Sequence, residues 1–264
     1  MTVIWGVVNT TPDSFSDGGK FLDPDAALQH AQELCRDGAA VIDVGGESTR
    51  PGARRVPAPE EQQRVIPVIT ALAAEGIPVS VDTLNASTAQ AAVVAGARIV
   101  NDVSGGLADP DMLAVVAASG ADIVLGHWRG PSNDMYAQAH YERIARDVAQ
   151  ELRQRISAAA AAGIAPARII VDPGIGFAKT PEQNWELLRG LGEIMALGPR
   201  VMLGTSRKRL FEPIVGTGAS QERKDAATAI TSALAARAGV WAVRVHDVRA
   251  TRDALSIVAA WDGR

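Results

Sequence analysis

The sequence predicts an α/β chain of one domain, residues 1–264, folded as a closed (β/α)8 TIM barrel with parallel strands and long first and second βα loops. Three observations carry that prediction. Short apolar runs alternate eight times with helical patterns, polar residues follow nearly every run, and no stretch rich in Pro, Gly or Ser divides the 264 residues. A doubly wound open sheet also explains the alternation, but it needs polar strand ends only at its switch point, and here they recur from the first unit to the last.

The first apolar run, 3–8, leads into a loop of turn and cap residues from Asn9 to Gly19. Ala27, Leu28, Ala31 and Leu34 then repeat with helical spacing over 24–37, with Asp23 placed as N-cap, Pro24 at the first helical position and Gly38 at the end. The second unit is a strand at 39–44, a loop to Pro59 and a helix over 60–74. Strands at 79–81 and 97–100 precede helices over 86–95 and 109–118. A fifth strand, 121–125, runs into Gly126-His127-Trp128-Arg129, and an alanine-rich helix covers roughly 140–162. The sixth strand, 168–171, is a β-branched run that stops at Asp172-Pro-Gly-Ile-Gly, where Pro173, Gly174 and Gly176 forbid continuation. Helix 181–191, strand 201–203, helix 222–238, strand 240–245 and helix 250–261 complete the eight units.

Composition narrows the function. A net charge of −4 and a pI near 5.6 argue against general nucleic-acid binding, and no apolar run approaches the ~20 residues of a membrane span. The start lacks a basic leader, so the cytoplasm is the expected compartment. The one cysteine, Cys35, excludes an internal disulfide and reads as a buried structural thiol. His30 and His140 lie in helical patterns and read as surface or packing residues. Gly174-Ile-Gly176 lacks the third glycine of a dinucleotide fingerprint, Gly204-Thr-Ser-Arg-Lys208 lacks P-loop spacing, and no serine sits in a hydrolase elbow.

A parallel barrel gathers all strand C-termini on one rim. The first polar residues after the runs are Asn9, the segment from Gly45 to Arg50, Asp82, Asn101 with Asp102, His127, Asp172, the segment from Thr205 to Lys208, and Arg244 with His246. Asp82, Asn101 and Asp172 offer acceptors and an amide suited to a flat heterocycle with a guanidine-like edge. Arg50, Arg207, Lys208, Arg244 and His246 offer donors for a phosphate or carboxylate. Asn9 adds an oxygen that, beside a diphosphate, suits a Mg²⁺ ion keeping most of its waters. Asp172, ending a buried strand, must meet N–H donors or a ligand that brings them, because a bare half-buried charge costs several kcal/mol, about 3–5 by the usual measure.

Seven ordered segments are similar to those of the dihydropteroate synthase family: Asn9-Thr-Thr-Pro-Asp-Ser-Phe-Ser-Asp-Gly-Gly, Gly45-Gly-Glu-Ser-Thr-Arg-Pro-Gly-Ala, Val81-Asp-Thr, Asn101-Asp-Val-Ser-Gly, Asp172-Pro-Gly-Ile-Gly-Phe, Thr205-Ser-Arg-Lys and Arg244-Val-His-Asp-Val. The resemblance spans nearly the whole chain. It implies a TIM barrel that joins 4-aminobenzoate to 6-hydroxymethyl-7,8-dihydropterin diphosphate, releases diphosphate, uses Mg²⁺ and works as a homodimer. Carried over residue by residue, it implies that Asp82, Asn101, Asp172 and Lys208 bind the pterin, with Arg244 over its ring. Asn9, Arg244 and His246 would hold the diphosphate, Asn9 also meeting the metal. Phe15, Thr49, Pro51, Phe177, Ser206 and Lys208 would form the aminobenzoate pocket. Asp82, Lys208, Arg50, Arg244 and His246 carry the expected catalysis. The chain departs from the family pattern at Gly126 and Trp128, where many members have Met; Gly126 is expected to widen the pterin pocket and Trp128 to replace a Met contact. A methyltransferase domain of the same superfamily would have no use for the diphosphate residues, and an inactive paralogue would bind pterin without turnover.

Overall fold

A computed structural model describes residues 2–10, 24–48, 55–130 and 139–263. Eight parallel strands close into a barrel in chain order, with the first strand paired to both the second and the eighth. In sequence the elements are β1 (Val3–Asn9), α1 (Pro24–Asp37), β2 (Val41–Gly45), α2 (Ala58–Ala74), β3 (Val79–Asp82), α3 (Ala86–Val94), β4 (Ile99–Asp102), α4 (Met112–Ser119), β5 (Asp122–Gly126) and α5 (Ile144–Ala161). There follow β6 (Ile169–Asp172), α6 (Pro181–Arg189), α7 (Leu191–Met195), β7 (Arg200–Leu203), the single-turn α8 (Glu212–Val215), α9 (Gln221–Arg237), β8 (Ala242–Val245) and α10 (Val248–Trp261).

Side chains along each strand point alternately to the helices and into the barrel. Ile42, Val44, Val81, Val100, Leu125, Val171, Leu203 and Val245 face outward into the large core shared with the helices. A separate buried cluster of Trp5, Val41, Ile99, Val124, Ile170, Met202 and Ala242 plugs the barrel interior. Two residues further on the same inward face, the first strand has Val7, and the others have Asp43, Asn101, Gly126, Asp172, Arg244 and, just past the end of β7, Gly204. Alternation therefore sets a polar layer directly on an apolar floor.

The first six predicted strands end one or two residues early, whereas the seventh and eighth end at 203 and 245 as expected. Asn9, Gly45, Asp82, Asn101, Asp102, Gly126 and Asp172 belong to the strands, since the ladder does not stop where the side chains turn polar. The helix expected over 181–191 breaks at Gly190, where a Cβ would stand 2.4 Å from the Ala145 Cβ of α5. The helix expected from 109 begins at Met112, because Asp109 accepts hydrogen bonds from the backbone N–H groups of Asp111 and Ala86 instead. Cys35 is half-exposed rather than buried, and its thiol pKa is raised by partial burial and by Glu75. His30 is half-buried in α1 and His140 is exposed, the packing and surface positions expected of them, but His140 stands outside α5, which begins at Ile144 rather than near 140. Asp23, proposed as the α1 cap, lies outside the described residues.

Candidate active site

Five inward side chains from five strands meet over the apolar floor. Arg244 of β8 donates from Nε to Asp43 Oδ2 (2.5 Å) and from Nη2 to Asp82 Oδ2 (2.8 Å), while Asn101 Nδ2 donates to the same Asp43 oxygen (3.0 Å). Gly204 shows the other side of Arg244: a Cβ there would lie 3.7 Å from Asp172 Oδ2, 3.8 Å from Lys208 Nζ and 3.9 Å from Arg244 Cβ. Gly45 opens the first edge in the same way, with Asn9 Oδ1 and Asp82 Oδ2 3.6 and 3.8 Å from its absent Cβ. Residues from position 9 to position 244 thus share one mouth.

The loop after β6 bends back over this layer. Asp172 Oδ1 accepts the Gly174 N–H (2.7 Å), so the half-buried carboxylate has the donor its position demands. Gly174 has φ +67°, and a Cβ there would lie 2.2 Å from the His127 carbonyl oxygen. No other residue fits. Lys208 Nζ donates to the Ile175 carbonyl (2.5 Å) and lies 4.7 Å from the centre of the Phe177 ring, a cation–π distance. Ser206 Oγ and His246 Nδ1 are 2.9 Å apart, and the same hydroxyl accepts the His246 N–H (3.2 Å). Asn9, Asp82, Asn101, Asp172, Phe177, Ser206, Lys208, Arg244 and His246 are therefore on the rim predicted for them. Phe15, Thr49, Arg50 and Pro51 lie outside the described residues.

Burial tunes these charges in opposite directions. Burial, reinforced by Asp43, Glu61 and Asp102 and opposed by Arg244, pushes Asp82 up to about 7. Lys208 is pulled down to about 8 by burial, with Arg244 adding to the shift and Asp172 resisting it. Arg244 is buried against its charge, yet Asp43 and Asp82 hold it above the ordinary arginine range. Burial raises Asp172 despite Lys208 and the Gly174 N–H. The mouth is a mesh of opposite charges with two groups poised near neutrality.

Several expected rim residues do other work. Arg207 does not join the cationic end: its guanidinium clasps Asp225 of α9 (2.6 and 2.9 Å), an anchor that holds Arg207 at φ +57° between Ser206 and Lys208. Asp102 folds its own loop, accepting from Ser104 and Gly106 N–H groups. Thr205 is buried. His127 is buried and faces Glu151 of α5 rather than the mouth. Gly126 does not widen the pocket, because its Cβ would meet the Val103 backbone oxygen at 2.4 Å; the missing side chain lets the β4 loop cross the rim there. Sequence reading missed Asp43, although a lone carboxylate within Val41-Ile-Asp-Val-Gly45 was the available signal. It also missed Lys179, Glu61 and Glu151, charged residues buried or half-buried on helices and loops.

Asn9, beside the Asp82 carboxylate, contributes an amide oxygen to an oxygen-lined edge, which fits a hard cation that draws its other ligands from water and a substrate. Among the described residues no three His, Cys, Asp or Glu side chains cluster as a metal-ion set.

Residues 5–246 match the family model described as pterin binding enzyme. The chain is 49% identical to the dihydropteroate synthase of Mycobacterium leprae (strain TN), over 97% of this chain and 92% of that protein. Its fold is similar to the Yersinia pestis dihydropteroate synthase in complex with a sulfonamide drug, with a TM-score of 0.95, 36% identity, and coverage of 100% of this chain and 95% of the other. It is also similar to the Xanthomonas albilineans dihydropteroate synthase with 4-aminobenzoic acid, with a TM-score of 0.91, 42% identity and coverage of 100% and 94%.

Proposed function

The chain belongs to the pterin-binding enzyme family, among the dihydropteroate synthases, and from that premise we propose how its residues divide the work of this transferase. The observation that carries the reading is the inward polar layer: carboxylates, an amide, a lysine and an arginine from separate strands, converging over an apolar floor that a flat ring can rest against. Asp82, Asn101, Asp172 and Lys208 bind the pterin edge, with Arg244 over its face. Arg244, His246 and Asn9 receive the diphosphate. Phe177, Ser206 and Lys208 form the described part of the 4-aminobenzoate pocket, to which Phe15, Thr49 and Pro51 add the rest. The Xanthomonas complex with 4-aminobenzoic acid supports that substrate class.

In the proposed substitution the methylene C–O bond to diphosphate breaks early, and the electron pair leaves with diphosphate. The resulting cation is delocalised over the pterin and favoured by Asp82 and Asp172. The amine of 4-aminobenzoate then forms the C–N bond and sheds its proton. Arg244 and His246 take up charge developing on the leaving group through donors fixed beforehand. A Mg²⁺ ion at Asn9 would neutralise further diphosphate charge when bound. Arg50 and the first loop exclude water, which would otherwise capture the cation.

A homodimer and a cytoplasmic location complete the proposal. Support for the dimer comes from α9 and α10, which pack together and expose Ile230 and Leu234, and Ile257 and Trp261, each pair one turn apart. Among the described residues no helix is long and apolar enough to cross a membrane.

Incubating the protein with pterin diphosphate and 4-aminobenzoate should release diphosphate and form dihydropteroate in equal amounts. Pterin binding without turnover would instead identify an inactive binding protein. Early C–O cleavage predicts a normal secondary deuterium isotope effect at the methylene carbon; an effect absent or inverse would mean that the amine attacks before the bond opens.

A further inference from the structure

Behind the loop that follows β6 lies a buried ionisable set with no part in the reaction as described. Lys179 is 1% exposed and His127 2%. Lys179 Nζ is 2.9 Å from each of His127 Nδ1, the Gly174 carbonyl oxygen and the Phe177 carbonyl oxygen. On the far side of the imidazole, His127 Nε2 is 3.0 Å from Glu151 Oε2, and Arg129 Nε donates to both Glu151 oxygens at 3.1 Å.

Counting protons fixes the charge of this set. An ammonium carries three donors, and here it has three acceptors if His127 Nδ1 supplies a lone pair. The imidazole proton must then sit on Nε2, where it meets the Glu151 carboxylate. Moving one proton from Nζ to Nδ1 gives an amine and an imidazolium, and Nε2 must still keep its proton to face Glu151. In both arrangements one positive charge is shared across the Nζ–Nδ1 contact. Burial, then Lys179, pushes His127 down to about 4, and burial holds Lys179 well below the ordinary lysine range, which works against a second charge beside the one the donor count requires. Asp172 and Glu151 favour that charge; Lys208 and Arg129 oppose it; the Tyr141 ring centre lies 5.9 Å from Nζ.

The two carbonyls that Lys179 grips belong to the peptide that builds the mouth. Gly174 donates to Asp172, Ile175 receives Lys208, and Phe177 presents its ring to Lys208. We propose that Lys179, His127 and Glu151 are positioning residues that hold one buried cation against the back of the β6 loop and thereby set the geometry and the charge of Asp172 for pterin recognition. This rests on the pterin reading of the site. The groups facing Asp172 are then Lys208, Arg244, Lys179 and the Gly174 N–H, and Lys179 is the one cation among them placed behind the loop rather than in the mouth.

The test is calorimetric binding of 6-hydroxymethylpterin to the full chain between roughly pH 5 and pH 8, for the wild type, Lys179→Met, Glu151→Gln, Asp172→Asn and the Lys179→Met/Asp172→Asn double variant. Lys179→Met should weaken binding at least about tenfold near neutrality. It should also move the Asp172 component of the acid limb, a limb to which Asp82 at about 7 also contributes, to higher pH, since losing a nearby cation raises the Asp172 pKa. In the Asp172→Asn background that pH shift should vanish, which a merely structural role for Lys179 would not produce. Glu151 is half-exposed, so Glu151→Gln keeps the test alive if Lys179→Met fails to fold, and it should weaken binding severalfold with melting still cooperative. Folded variants with wild-type affinity and an unmoved acid limb would overturn the proposal. Failure of the wild type itself to bind pterin would instead overturn the proposed function.

Discussion

Asp82 and Lys208 are the residues whose ionisation should be felt in catalysis. In the proposed roles Asp82, pushed to about 7, is ionised to accept pterin N–H groups, so kcat/KM should fall as pH drops through that value. Lys208, pulled to about 8, must be protonated to donate, so kcat/KM should fall again as pH rises through it. The profile should be a narrow bell. A broad plateau from pH 5 to pH 10 would place neither group in the rate-determining step. Replacing Asp172 by Asn removes a charged acceptor and should cost about 2–3 kcal/mol of pterin binding, read by calorimetry. Arg244→Met should destabilise the fold as well as the reaction. It leaves Asp43 and Asp82 buried without their shared cation, at about 3–5 kcal/mol, which a urea titration would show. At this scale much of the candidate site was readable, because Asp82, Asn101 and Asp172 each follow or end an apolar run, Lys208 lies in the loop after one, and Arg244 stands one residue before the end of β8. Asp43 was not. A carboxylate inside a strand looks like an interruption of the core until the barrel closes and Arg244, two hundred residues away in sequence, arrives beside it.

Elements carry the loops that carry those residues. Thr180 opens α6 with a reciprocal cap: its hydroxyl accepts the Gln183 N–H (3.3 Å) and the Gln183 side chain accepts the Thr180 N–H (2.8 Å). Thr180→Ala should lower the unfolding free energy by about 1 kcal/mol, measured in urea, while leaving the strand ladder intact. Glu151 fastens α5 to the end of β5. Burial opposes its charge, but His127 and Arg129 hold its carboxyl down to about 2, below its ordinary 4.5. A carboxyl depressed in the folded state contributes stability that is full above the ordinary pKa and disappears as pH falls through the folded one. Acid unfolding should therefore steepen between those two values, and Glu151→Gln should flatten that part of the curve. An unchanged curve would mean the carboxylate pairs equally well in the unfolded chain. Helices were legible from their apolar period and strands from short apolar runs, whereas six strand ends were not, because a strand that terminates in the candidate mouth turns polar before its ladder ends. The break at Gly190 depends on contact with α5 and leaves no local mark beyond one glycine.

Over the whole molecule, eight alternating units, a polar rim and a plugged interior imply one another: seven strands put an apolar side chain into the floor, β3 puts Ser80 there, and the chemical side chains stand above. The alternation could be read from sequence, as could the convergence, since a parallel barrel leaves strand ends nowhere else to go. What could not be read was which rim residues turn away. Arg207 points to α9 and His127 to α5, and only their partners Asp225 and Glu151 decide it. If α9 and α10 form the face of a homodimer, Ile230→Glu together with Trp261→Glu should shift sedimentation toward the monomer and leave melting cooperative. A wild type that sediments as a monomer at all concentrations would refute the dimer. In the proposed function one mouth grasps a pterin at its acidic layer and a diphosphate beside it. A crystal structure with pterin diphosphate tests this most directly: the aminopyrimidine edge should lie on Asp82, Asn101 and Asp172 with the diphosphate against Arg244, His246 and Asn9, and a ligand bound with its ring away from Asp172 or its diphosphate away from His246 would contradict it.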